Sequence, residues 1–98
     1  MAKAYWVVCY KSISDQDKFA AYAKLAPAAV QASGGKFIVR GPAAQAYENG
    51  IKQRVVVIEF PSLAQALAAH DTPAYKEALK ALDGAADRDL RIVEGLDG

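Results

Sequence analysis

Five residues in this chain of 98 carry groups that could do chemistry: Arg40, Glu59, His70, Tyr75 and Cys9. Arg40 closes the run KFIVR, where strand alternation asks for another half-buried side chain. Asn49-Gly50 favours a two-residue hairpin turn, because both residues tolerate positive φ. That turn sets Glu48 opposite Ile51 and Arg40 opposite Glu59, and opposite partners share a face of the sheet. The pair has two readings. As an anion clamp, Arg40 holds a substrate carboxylate or enolate and Glu59 positions it; as structure, the ion pair orients an assembly. A bulge at Gly41-Pro42 would shift this register by one residue.

His70, the only histidine, stands beside Asp71 and is the one side chain that ordinarily titrates near neutrality. It is a candidate general acid or base with Glu59 or Asp71 orienting it, or else a surface histidine at a helix C-terminus, where positive charge is favoured. Tyr75, with Tyr5, Trp6, Tyr10 and Tyr47, supplies aromatic walls to a pocket or to the core. Cys9 sits in an apolar run without an adjacent basic residue, which disfavours an activated thiolate. One histidine cannot make a two-histidine metal site, and carboxylates with ligand spacing are missing. Gly34-Gly35 follows a helical segment and precedes a strand, the reverse of a nucleotide-binding order. No metal and no cofactor is expected.

The elements that must position these groups follow from periodicity. AYWVVCY, residues 4–10, is continuously apolar and reads as a central strand. Ser14 and Asp17 suggest a capping box that opens a helix carrying Phe19, Tyr22, Ala23, Ala26 and Val30 on one face, interrupted by Pro27 and ended at Gly34-Gly35. KFIVR and RVVVIEF, residues 54–60, are strands. Ser62 with Gln65 opens a second helical region, which Thr72-Pro73 restarts. DLRIVEG, residues 89–95, is the last strand, with Leu90 and Ile92 on one face and Arg91 and Val93 on the other. The order strand, helix, strand, strand, helix, strand predicts one α+β domain over residues 1–98, ferredoxin-like, with both helical regions on one face of an antiparallel sheet.

The other face should turn polar if water covers it, yet it is offered Ile38, Val55, Val57 and Val93. Monomers rarely leave an apolar face of several hundred Å² in water, so a homodimer with facing sheets is expected. The 12 basic and 11 acidic residues balance to a net charge of +1 without a basic stripe, so nucleic acid and membrane surfaces are not expected partners. A single cysteine fits a reducing cytoplasm, and no apolar run approaches the roughly 20 residues of a membrane span.

FIVRGP, RVVVIEFPS, DTPAYKEAL and AADRDLRIVEG, in that order, resemble the domain of unknown function 1330 family of the dimeric α+β barrel superfamily. The resemblance covers nearly the whole chain and implies a ferredoxin-like fold and a dimeric barrel. It lends no reaction, because the wider superfamily includes cofactor-independent monooxygenases, lactone isomerases and haem-degrading proteins. Members often carry an aromatic residue where this chain has His70, and a basic one near Leu82. The expectation is a homodimer that binds a small, partly apolar anion, with Arg40 and Tyr75 contacting it and His70 and Glu59 handling protons in cofactor-free acid/base or oxygen chemistry. The competing expectation is a non-catalytic dimerisation or ligand-sensing module.

Overall fold

The computed structural model describes residues 2–96. Strand β1 runs Ala4–Ile13, helix α1 Gln16–Ala32, β2 Lys36–Pro42, β3 Arg54–Phe60, α2 Leu63–His70, α3 Pro73–Leu82 and β4 Ala86–Glu94. The four strands form one antiparallel sheet in the order β2-β3-β1-β4, so the two most apolar strands are central, as their composition predicts. The fold is ferredoxin-like. Among the described residues no helix is long and apolar enough to cross a membrane.

Even-numbered residues of β1 and β3 point to the helices: Trp6, Val8, Tyr10, Val56, Ile58 and Phe60 are buried. Trp6 anchors this core. Its indole Nε1 donates to the Ala66 carbonyl at 2.8 Å, and its ring meets Tyr75 edge-on and Phe60 at a tilt. Each helix begins on a side-chain oxygen that satisfies otherwise orphaned amides. Ser62 and Thr72 cap α2 and α3 as their spacing predicts. Asp15 rather than Ser14 caps α1, accepting from the Asp17 and Lys18 amides, while Ser14 is spent on the Ala85 carbonyl.

Two expectations about the second and third strands are overturned. Asn49-Gly50 does not make a two-residue hairpin; residues 43–53 form a long loop, closed by the Ala43 amide on the Gln53 carbonyl at 2.9 Å. The strand ladder ends at Pro42 opposite Arg54. The register shift falls at Ile38, between Phe37 and Val39, rather than at Gly41-Pro42. Arg40 therefore pairs with Val56, and Lys36 takes the place opposite Glu59. An extra residue reverses which face the following side chains meet. The bulge thus turns Arg40 toward the helices, the side opposite to Glu59.

Gly35 joins α1 to β2 where there is no room for a side chain. A Cβ there would lie 2.5 Å from Val30 Cγ1 and 2.9 Å from Phe60 Cε1, and both partners are fully buried. Gly35→Ala should lower stability by about 1–3 kcal/mol in urea unfolding. Gly41→Ala, which meets nothing within 4 Å, should stay within about 0.5 kcal/mol.

Candidate functional site

The polar end of the helix-facing side carries a row of residues drawn across the sheet. Arg54 on β3 pairs with Pro42, next to Arg40 on β2, and Tyr10 on β1 pairs with Arg88 on β4. Tyr22 of α1 and Tyr75 of α3 reach down to this row from above. Arg88 Nη1 donates to Tyr22 Oη at 3.0 Å and, at longer range, to Tyr10 Oη at 3.5 Å; Nη2 donates to Tyr75 Oη at 3.1 Å. The two helix phenols also bond each other at 2.8 Å.

Proton counting shows what this cluster offers. A guanidinium only donates, so all three phenol oxygens accept from Arg88 and keep their own protons for other partners. One proton is used between Tyr22 and Tyr75. Tyr75 is fully buried and off the pocket wall, whereas Tyr22 and Tyr10 line the pocket. Either phenol can donate in the Tyr22–Tyr75 bond: when Tyr75 donates, Tyr22 and Tyr10 both retain an O–H to give to a ligand, and when Tyr22 donates, Tyr10 alone does.

The pocket lies between α1 and the sheet and has a cavity volume of ≈ 60 Å³. Arg40, Arg54 and Arg88 line one part of it, Trp6, Val30, Phe37 and Ile58 the apolar part. Among the described residues no carboxylate lines it. Arg54 Nε is buried without a hydrogen-bond partner among the described residues, and its guanidinium stands over the Phe19 ring at 5.6 Å. The Arg40 guanidinium stands over Phe37 at 5.3 Å. Neither Arg40 nor Arg54 forms a salt bridge among the described residues. Burial, reinforced by Tyr75 and opposed by Arg88, pushes the Tyr22 phenol well above its ordinary range, and burial raises Tyr10 as well. Burial works against the Arg88 cation, but the Tyr22 and Tyr75 oxygens outweigh it, so Arg88 stays charged. The pocket is a wall of cations and neutral donors.

Of the residues singled out in the sequence, Arg40 lines this pocket and Tyr75 supports it through Arg88. Glu59 lies on the opposite face of the sheet, 3.3 Å from Lys3. His70 ends α2, its Nδ1 3.7 Å from Asp71 Oδ1 and its ring against Trp6 and Tyr75, outside the pocket lining. Arg54, Arg88, Tyr10 and Tyr22 complete the site. The signal for Arg88 was its alternation with Leu90 and Ile92, hidden because β4 begins at Ala86 rather than Asp89.

The family model for Domain of unknown function (DUF1330) matches residues 3–96. The chain belongs to this family. Among curated proteins no relative matches. The structure is similar to that of a protein of unknown function from Rhodopseudomonas palustris, at 19% identity and TM-score 0.74, with 99% of this chain and 85% of that one covered. It is also similar to SnoaB, a cofactor-independent oxygenase from Streptomyces nogalater, at 12% identity and TM-score 0.61 over 100% and 97% of the two chains. A third similar structure is a dimeric protein of unknown function and ferredoxin-like fold from Bacteroides fragilis, at 13% identity and TM-score 0.54 over 95% and 96%. At these identities the likeness is one of fold.

A phenol that holds its proton longer when folded stabilises the chain fully below the unfolded value near pH 10, and that contribution is lost as pH rises above it. Tyr22→Phe removes the titration. Thermal melts from roughly pH 9 to 11 should show a shallower alkaline loss of Tm in this DUF1330 variant than in the wild type.

Proposed function

We propose that this DUF1330 protein is a homodimer that binds a small, partly apolar anion in the pocket between α1 and the sheet. The observation that carries the reading is three arginines and the phenols of Tyr10 and Tyr22 on one pocket wall, with no carboxylate among the described residues that line it. Cations gathered without an internal counter-ion repel each other, and an anion relieves that cost while using the unpartnered Arg54 Nε. The apolar lining selects a ligand with some hydrocarbon. Arg40 and Arg54 contact the anion directly, and Tyr75 acts by holding Arg88.

A donor wall of this kind also stabilises negative charge that develops on oxygen, as in an enolate. That property would suit cofactor-free oxygen chemistry, which by analogy of fold SnoaB supports. Glu59 and His70 take no part in this reading, since neither lines the pocket. The exposed free thiol of Cys9 fits a reducing cytoplasm.

The open face supports the dimer. Val7, Val55 and Val57 lie there only half-buried, and Ile38, Val39 and Val93 are each about 45% exposed. Covering such surface yields about 25 cal/mol per Å². The dimeric ferredoxin-like protein from Bacteroides fragilis is consistent with this arrangement.

Butyrate, an anion with a short apolar tail, is a suitable probe, followed by isotope-edited NMR titration. Arg54→Gln and Arg40→Gln should each weaken binding by about 10-fold or more, as loss of a charged hydrogen bond does. His70→Ala and Glu59→Gln should leave it within about twofold. Equal effects of all four substitutions would count against the pocket. Sedimentation should give a dimer for the wild type and a monomer for Val57→Lys; a monomeric wild type at micromolar concentration would remove the dimer.

A further inference from the structure

Pro27 lies inside α1 and has no amide proton, so the carbonyl of Ala23, four residues earlier, lacks the donor that an uninterrupted helix supplies. Ala23 and Pro27 both line the pocket. A helical carbonyl points along the axis toward residue i+4, so the Ala23 oxygen lies between two residues of the pocket wall. No side chain among the described residues takes it up: the side-chain donors that reach backbone carbonyls are Trp6, Ser14 and Thr72, on Ala66, Ala85 and Ala69. Ala23 is exposed and Pro27 half-buried, which places this stretch of the wall at the mouth of the pocket. A proline within a helix is destabilising, and here it stands where it opens an acceptor onto a pocket otherwise lined by donors.

The pocket therefore has two chemically unlike ends. A plain carboxylate would use the arginines and phenols and leave the Ala23 carbonyl to water. We infer that the ligand is a hydroxy acid, an anion whose own hydroxyl donates to the Ala23 carbonyl while its charged group meets the arginine row. This rests on the anion-binding reading above and adds the second recognition point. The ≈ 60 Å³ cavity has room for about four to six water-sized groups at about 10–15 Å³ each, which limits the enclosed part to a short chain.

The test compares butyrate with 2-, 3- and 4-hydroxybutyrate by NMR titration of the wild type and of Pro27→Ala, which returns an amide proton to the Ala23 carbonyl. At least one hydroxy acid should bind the wild type about 2- to 10-fold more tightly than butyrate. In Pro27→Ala that advantage should vanish while butyrate still binds. Taking the ratio within each protein cancels the change in wall shape caused by losing the proline ring, and removing a proline from a helix interior favours folding. Equal binding of all four acids to the wild type, or an advantage that survives in Pro27→Ala, would overturn the hydroxyl contact and leave the anion site standing. If none of the four acids binds, the anion reading falls and the hydroxy-acid inference falls with it.

Discussion

The arrangement depends on how Arg88 is housed: a half-buried guanidinium whose hydrogen-bond partners are phenols instead of a carboxylate. An acidic partner would have neutralised the cation and closed the site electrically. Phenol oxygens satisfy its donors without cancelling its charge, so the pocket keeps a positive field. Holding those oxygens in place needs α1 and α3 at fixed heights above β4, and the bond between Tyr22 and Tyr75 ties the two helices together at that point. The core that carries them is built around Trp6, which joins β1 to α2 by its indole N–H and to α3 by its ring.

The two faces of the sheet divide the work. On the helix side, apolar side chains fill the space except at the pocket, which Ala23, Ala26 and Pro27 of α1 help to line. The other side offers valines at half exposure, flanked by the Lys3–Glu59 and Arg91–Asp89 ion pairs. One extra residue at Ile38 decides which of these sides Arg40 joins. Without it the arginine would fall opposite Val55 on the open face, away from the pocket.

The fold was legible in the sequence because strand and helix periods, Thr72-Pro73 and the two continuously apolar strands agree with one another and with the family resemblance. The site was legible only in part. Arg40 stood out by breaking an alternation, but its face depended on a bulge that leaves no mark in FIV, three apolar residues in succession. Asn49-Gly50 carries strong local turn chemistry and does turn, with the Gly50 amide on the Tyr47 carbonyl at 2.8 Å, but the flanking AAQAYE and IKQ lack the alternation needed to extend strands into it. Arg54 and Arg88 were visible as charges at strand ends, where solvent exposure is the usual outcome. What distinguishes them is the set of tyrosines brought from α1 and α3, a long-range fact that no local pattern encodes.

The row beneath the pocket takes Arg40, Arg54, Tyr10 and Arg88 from four different strands, two of them edges. Edge strands ordinarily fray on their own, ahead of global unfolding. A guest gripped by the row would fasten β2 to β4 across the whole width of the sheet, so local fraying of either edge would have to release the guest first. Amide exchange in the outermost strands would then slow toward that of the centre, and occupancy would be felt as cooperativity by backbone far from any contact.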